Sequence, residues 1–137
     1  MRTFTEDFVQ REAREAIAAL WNEEEYLVDT HTAVAYKVYR DYLEETGDET
    51  PAVIASTASA YKFAESVADA CGLDVGKVKV LANSEAEPTG FDYVKALEKA
   101  TGVRVPSGLR DLEDKPVLHD RVCAKDEMSE VVIGVLE

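Results

Sequence analysis

Basic residues are scarce in this chain, with 15 lysines and arginines against 28 acidic residues and a net charge of −13. A charge of this sign repels the phosphate backbone of nucleic acids and the headgroups of anionic lipids. Nucleic acid and membrane surfaces are therefore not expected partners. Only residues 23–25 form an acidic run, so we interpret the remaining charge as a well-solvated surface.

Long apolar runs are also missing. No stretch approaches the twenty or so apolar residues that cross a bilayer, and no signal-like apolar segment follows basic residues at the N-terminus. We therefore expect a soluble, cytoplasmic protein. With 137 residues, 46% of them hydrophobic, the chain can bury a core of ordinary size, and we expect residues 1–137 to form a single domain or a fragment of one.

Cysteine is rare, and the two cysteines, Cys71 and Cys123, match no zinc or redox spacing. We interpret both as small buried apolar residues. His119 and Cys123 are four residues apart, but the segment 117–124 has the pattern of a strand, which would splay the two side chains along its length. No metal site is expected.

Helical patterns begin the chain. Thr3 and Glu6 have the spacing of a capping box, and the apolar residues that follow recur at helical spacing through residue 21. Asp29 or Thr30 can cap a second helix, which Gly47 ends.

The middle of the chain reads as a strand, a loop and a helix. Pro51–Ala55 is an unbroken apolar run between turn formers, which predicts a strand buried on both faces. A helix is predicted over Tyr61–Ala70. The next segment, 73–90, has no firm assignment, because its valines at 78 and 80 suggest a short strand while residues 83–88 read as a loop.

The last third predicts a helix from Thr89 or Gly90 to Thr101, a turn-rich connection, a strand over 117–124 and a closing helix over 125–136. The predicted class is α/β, a helix-rich, partial three-layer arrangement with a small parallel or mixed sheet. Two or three strands are few for an independent doubly wound domain. The chain therefore has the pattern of part of a larger fold.

The segment Ser56–Phe63 carries the leading candidate site, because open α/β sheets bind ligands where a strand ends and a helix starts. The Ser56 and Thr57 hydroxyls can donate or accept hydrogen bonds, although serine and threonine before a helix also act simply as caps. Ser59 and Lys62 fit the Ser-x-x-Lys pattern of penicillin-binding proteins, but the companion Ser-Asp-Asn and Lys-Thr-Gly motifs are missing. The glycine-rich phosphate-binding and dinucleotide-binding motifs are missing as well.

His31 is a second candidate, since an imidazole can act as a general acid or base near neutral pH. The alternative is a structural hydrogen bond in the first turn of the second helix. No partner for His31 is evident from the sequence.

Three segments in fixed order resemble the carboxy-terminal portion of threonine synthase. They are Tyr26-Leu-Val-Asp-Thr-His-Thr-Ala-Val-Ala-Tyr36, Pro51-Ala-Val-Ile-Ala-Ser-Thr-Ala-Ser-Ala-Tyr-Lys-Phe63 and Thr101-Gly-Val-Arg-Val-Pro-Ser-Gly-Leu109. The first is similar to the family's Asp-Pro-His-Thr-Ala-Val stretch, and the second to its Ser-Thr-Ala-x-Pro-x-Lys-Phe stretch. Thr30 and Ala60 stand where that pattern usually has proline.

The resemblance implies part of the large domain of a fold type II enzyme that uses pyridoxal 5'-phosphate to convert O-phosphohomoserine and water into threonine and phosphate. The family's Schiff-base lysine and glycine-rich phosphate cradle belong to segments upstream of those present, so the chain is expected to be inactive alone. Thr57 is the implied contact to the pyridine nitrogen, with Ser56 as the neighbouring alternative. His31 and Lys62 align with family positions as substrate-side or structural residues, and Lys62 has the further reading of a surface cation.

Two other interpretations remain open. One is a stand-alone, non-catalytic module that binds or regulates through a small ligand near residues 56–62. The other is one half of a split enzyme that pairs with a separate amino-terminal subunit. A fragment should expose a large apolar patch where the rest of the enzyme docks, and should self-associate through it, whereas a module that stands alone should not.

Overall fold

A computed structural model describes residues 6–118 and 121–136. It opens with two long helices, α1 over Glu6–Glu24 and α2 over Thr30–Thr46. The Asp29 side chain accepts hydrogen bonds from the first free amides of α2, and Gly47 ends that helix in the left-handed conformation, with φ of 64°. Both predicted helices are confirmed, while Thr3 of the predicted capping box lies outside the described residues.

The middle of the chain is also helical. A 3-10 turn over Ala60–Phe63 leads directly into α3 over Ala64–Ala70, and α4 and α5 follow over Val75–Ala82 and Gly90–Thr101. A full capping box, in which Thr89 and Asp92 exchange hydrogen bonds, begins α5, and Gly102 ends it. The helices predicted over 61–70 and 89–101 are therefore confirmed.

Five helices surround the core. Helix α1 packs against α2 and α3, and α5 packs against α3 and α4. The most deeply buried side chains are apolar and come from each of these elements: Ile17, Ala33, Val67, Ala68, Val78, Ala96 and Leu97 are all fully buried. This helix cluster holds the carboxyl-terminal side of the loop 47–59 against the start of α2.

The sheet predicted from the sequence is wrong for the residues described, which contain helices, turns and extended loops but no strand. Pro51–Ala55 is the clearest case, since this apolar run is mostly exposed and Val53 is 98% exposed. A strand needs a neighbour to satisfy its backbone hydrogen bonds. No described segment pairs with this run, so the apolar sequence remains an exposed, extended loop.

The uncertain segment 73–90 contains a helix where a short strand was considered. Asp74 caps α4 by accepting a hydrogen bond of 2.8 Å from the Lys77 amide. Val78 is fully buried and Val80 is 80% exposed, which fits a helix, because residues two apart lie on opposite sides of a helix but on the same face of a strand. The short apolar run alone left both assignments open.

The last part of the chain differs from the rest. Two 3-10 turns, Leu112–Asp114 and Lys125–Glu127, precede α6 over Met128–Leu136. The described residues of the predicted strand 117–124 form no strand, and residues 119 and 120 of that prediction lie outside the described residues. From residue 111 onward, no described residue is buried. The closing helix is confirmed, but its apolar side chains have no core to enter.

Candidate functional site

The site is organised by Asp29, whose side chain is fully buried in front of α2. Its Oδ1 atom accepts hydrogen bonds from the backbone amides of His31 and Thr32, at 2.9 and 3.4 Å. The same oxygen lies 3.2 Å from His31 Nδ1. Its Oδ2 atom accepts a hydrogen bond from the Thr32 hydroxyl. One carboxylate therefore serves four donors, which is more than a helix cap requires.

The protonation state of Asp29 follows from these contacts. Burial by itself raises the pKa of a carboxyl group, but the hydrogen bonds from Thr32 and His31 outweigh it and leave the pKa of Asp29 lowered. The group is consequently an ionised carboxylate at neutral pH. An ionised carboxylate can only accept hydrogen bonds, so the proton of every hydrogen bond to Asp29 comes from the neighbouring group.

Thr32 connects this carboxylate to the candidate segment of the loop. Its Oγ1 atom lies 3.1 Å from Ser56 Oγ, a contact between residues 24 positions apart. Asp29 and Thr32 are the two buried polar residues of the part of the chain that the structure describes. The buried pair therefore anchors the exposed Ser56 to the start of α2.

Thr57 lies beside Ser56 and is also exposed. Among the contacts found in residues 6–118 and 121–136, its hydroxyl has no hydrogen-bond partner, in contrast to that of Ser56. The two neighbouring residues are thus both exposed, but only the Ser56 hydroxyl has a hydrogen-bond partner among the described residues. Either one presents a neutral hydroxyl group at the surface.

His31 belongs to the same group of side chains, because its ring contacts Asp29. Its side chain is 69% exposed, and its ring lies against that of Phe63, with centroids 4.9 Å apart and planes inclined by 60°. The imidazole lines a cleft of about 460 Å³ between α1, the start of α2 and Ser66 of α3. The partner that the sequence did not reveal is therefore Asp29.

Lys62 belongs to a different surface. It is exposed on the 3-10 turn and lines a second cleft, of about 540 Å³, with Phe91 and Val94 of α5 and Leu109 of the following loop. Ser59, the other member of the Ser-x-x-Lys pattern, caps the same turn by accepting a hydrogen bond of 3.3 Å from the Tyr61 amide. The structure therefore joins His31 to Ser56 through Asp29 and Thr32, and places Lys62 in the other cleft.

Tyr61 connects two of the segments that resemble threonine synthase, Pro51–Phe63 and Thr101–Leu109. This side chain is buried, and its hydroxyl donates a hydrogen bond to the Val103 carbonyl. Glu98 continues the connection by accepting a hydrogen bond of 2.9 Å from the Val105 amide. The turn-rich loop after α5 is thereby held against the 3-10 turn that carries Lys62.

The two positions that depart from the family pattern have the same structural setting. Thr30 is the first residue of α2, and Ala60 is the first residue of the 3-10 turn. Proline is favoured at the first helical position because its fixed φ suits the helix and its missing amide would have no partner there. Threonine and alanine also begin a helical turn at these two positions.

The cysteines and metal-binding groups add no site. Cys71 and Cys123 are free and half-buried rather than buried as expected, and desolvation raises the pKa of the Cys71 thiol to about 11. No cluster of three or more metal-binding side chains occurs within the described ranges; His119 lies outside them. None of the helices described there has both the length and the apolar composition of a transmembrane segment.

Residues 32–95 match the family model for the C-terminal domain of threonine synthase. Residues 32–95 are therefore similar to that C-terminal domain. The match covers just under half of the chain and confirms the resemblance to the carboxy-terminal portion of that enzyme, a family of the lyase type. No curated protein matches the chain.

The threonine synthase match includes Thr32, Ser56, Thr57 and Lys62, whereas Asp29 and His31 lie just before it. Sequence reasoning identified Ser56, Thr57, His31 and Lys62 but used Asp29 only as a cap and gave Thr32 no role. One signal was available, since both lie within the Asp-x-His-Thr stretch that carries the resemblance. What the sequence could not reveal is the contact between Thr32 and Ser56, because it crosses the loop 47–59.

Proposed function

We propose that this chain, as one domain or fragment over residues 1–137, is the carboxy-terminal part of a pyridoxal 5'-phosphate-dependent threonine synthase. The observation that carries the proposal is the family match over residues 32–95, which spans the candidate hydroxyls of the site. The complete enzyme would convert O-phosphohomoserine and water into threonine and inorganic phosphate. This chain would supply the contact to the pyridine nitrogen of the cofactor, through Thr57 or the adjacent Ser56.

The side chains present fit that contact. Ser56 and Thr57 offer exposed, neutral hydroxyls. The carboxylate linked to Ser56 through Thr32, that of Asp29, is too deeply buried to meet a ligand itself. A hydroxyl does not hold a pyridine nitrogen protonated as a directly bonded carboxylate does. When bound, the cofactor supplies an electron sink for proton transfers. The role of this chain would be to hold the ring through a neutral group and to exclude water from one side.

Activity would require the rest of the enzyme. The Schiff-base lysine of the family belongs to an upstream segment, and Lys62 lines a different cleft from His31. His31 and Lys62 remain proposed substrate-side or structural residues. We therefore propose that the isolated chain binds no cofactor covalently and releases no phosphate from the substrate.

The exposed apolar surface supports a docking partner over a stand-alone module. Val53 is 98% exposed, and Val122 and Leu136 are 93% and 80% exposed. Docking of another protein segment would bury such side chains. We propose that the remainder of the threonine synthase chain covers these side chains, and that the isolated chain self-associates in its absence.

The test is an assay of phosphate release from O-phosphohomoserine with added pyridoxal 5'-phosphate. We expect no release by the chain alone, and release when an amino-terminal part of a threonine synthase, bearing the Schiff-base lysine, is added. Thr57→Val should reduce that recovered activity and alter the cofactor absorbance. The matched control is Thr50→Val, which changes another exposed threonine of the same loop.

Two results would contradict the proposal. Release by the chain alone would show that no upstream lysine is needed. Equal activity and absorbance for the Thr57→Val, Ser56→Ala and unchanged mixtures would show that neither hydroxyl meets the cofactor.

A further inference from the structure

We propose that Asp29 is a positioning residue, which sets the direction of the Ser56 hydroxyl through Thr32 and the tautomer of His31 through Nδ1. Its consequence is that Ser56 Oγ and His31 Nε2 both present lone pairs, and therefore accept hydrogen bonds from a bound group. This inference rests on the proposed function for the identity of that group.

The direction of the Ser56 hydroxyl follows from counting protons. Thr32 has one hydroxyl proton and two neighbours, the Asp29 carboxylate and the Ser56 oxygen. The carboxylate cannot donate, so the Thr32 proton goes to Asp29 Oδ2. The contact of 3.1 Å between Thr32 and Ser56 is then a hydrogen bond only if Ser56 donates to Thr32. Ser56 is left with lone pairs toward the surface.

The tautomer of His31 follows in the same way. Its Nδ1 atom lies 3.2 Å from Asp29 Oδ1, an oxygen that only accepts. The proton of the neutral imidazole must therefore be on Nδ1, and Nε2 must carry the lone pair. Because the ring is largely exposed, Nε2 is accessible to a ligand in the cleft beside α1.

These assignments give the hydroxyl groups of Ser56 and Thr57 different hydrogen-bonding roles. Ser56, whose proton is committed to Thr32, suits a group that carries a proton, such as a protonated pyridine nitrogen or an ammonium group. Thr57, whose proton is free, suits an unprotonated pyridine nitrogen. The protonation state of the cofactor ring should therefore decide which of the two neighbouring residues it meets.

Hydroxyl exchange measured by NMR tests the Ser56 assignment without any cofactor. In mixed light and heavy water, the Cβ signal of a serine or threonine splits when its hydroxyl proton exchanges slowly. We expect slower exchange for Ser56 than for Thr57, which is also exposed and serves as an internal control, and fast exchange for Ser56 in Thr32→Val. If the Ser56 proton exchanges as fast as that of Thr57 in the unchanged chain, the assigned direction is wrong.

The His31 assignment is tested by long-range proton–nitrogen NMR at a pH where histidine imidazoles are neutral. We expect the Nδ1–H tautomer in the unchanged chain and loss of that preference in Asp29→Ser, which keeps a capping oxygen. Asp74→Ser, at the cap of α4, is the matched control and should leave His31 unchanged. An Nε2–H tautomer in the unchanged chain would overturn the inference, even if the Asp29 variant fails to fold.

These outcomes are separable from those of the proposed function. Both NMR measurements use the chain without cofactor or substrate, so a negative result removes the positioning role and leaves the threonine synthase proposal intact. Conversely, failure of the phosphate-release test with normal NMR results would remove the cofactor as the ligand while the two acceptor atoms remained assigned.

Discussion

Helices α5 and α6 differ in whether their apolar side chains are buried. Helix α5 places Tyr93, Ala96 and Leu97 in the core and interleaves them with charged residues. Helix α6, with the sequence Met-Ser-Glu-Val-Val-Ile-Gly-Val-Leu, is more continuously apolar but has no buried residue. The more hydrophobic of the two helices is therefore the more exposed one.

The difference shows that burial depends on an available partner as well as on hydrophobicity. Helix α5 packs against both α3 and α4, whereas Ile133 and Val135 of α6 are 57% and 70% exposed. Exposing several large apolar side chains costs free energy that burial would recover. This is the reason for proposing that another protein segment covers α6.

The largest expected effect is a difference in stability between a variant of α5 and a variant of α6. Leu97→Ala removes a fully buried side chain and should lower the free energy of unfolding by about 2–5 kcal/mol. Leu136→Ala removes a side chain that is 80% exposed and should change it by less than about 0.5 kcal/mol. Urea denaturation of both variants measures the difference, and equal losses would contradict the comparison.

A smaller loss of stability is expected at Tyr61. This residue lies on the 3-10 turn and contacts the loop that follows α5. Tyr61→Phe removes the hydrogen bond to the Val103 carbonyl and should cost about 1 kcal/mol in urea denaturation. Tyr26→Phe is the matched control, because Tyr26 is 59% exposed. Equal stability of the two variants would show that the buried hydroxyl does not hold the loop.

Acid should weaken the helix cluster in part through Asp29. The lowered pKa of Asp29 means that the folded state binds fewer protons than the unfolded state in this range. Its contribution is fully present above the ordinary aspartate pKa of about 3.9 and is lost as pH falls through the lower folded-state value. The free energy of unfolding should therefore fall less steeply with acidification in Asp29→Asn than in the unchanged chain.

Asp74→Asn serves as the control for that pH series, because Asp74 caps a helix but accepts only the Lys77 amide from its first turn. Identical pH profiles for Asp29→Asn and the unchanged chain would mean that the buried carboxylate does not titrate in this way.

The smallest effect on folding, and the most direct view of α6, is expected from Ile133→Lys. This side chain is 57% exposed, so the stability of the monomer should change by less than about 0.5 kcal/mol. Self-association, measured by sedimentation at several concentrations, should decrease because a charge enters the apolar surface. Val80→Lys is the control, since Val80 is also exposed but lies on α4.

The local signals of the sequence were sufficient for several helices. Asp29, Gly47 and Gly102 each mark a helix end in the structure as they do in the sequence, because capping depends on residues within one turn. The strand predicted over Pro51–Ala55 is wrong because a strand depends on a pairing partner that is distant in sequence. An apolar run states that a segment prefers to be buried, but only a neighbouring strand makes it part of a sheet.

In the candidate site, likewise, individual residues could be predicted from local motifs, whereas the contacts between distant residues could not. Ser56, Thr57, His31 and Lys62 were identified from local motifs, and the roles of all four remain proposals. The link from Asp29 through Thr32 to Ser56 and the separation of Lys62 into another cleft are tertiary features. They depend on how α2, the loop and α3 pack, which no local pattern specifies.

The central claim is that this chain is a portion of a longer threonine synthase. The most direct test is the mass of the native gene product in extracts of the source cells, detected with an antibody raised against this chain. The account predicts a band several times heavier than the 15.1 kDa of the chain. A band at 15.1 kDa would contradict it and would favour a separate subunit or a stand-alone module.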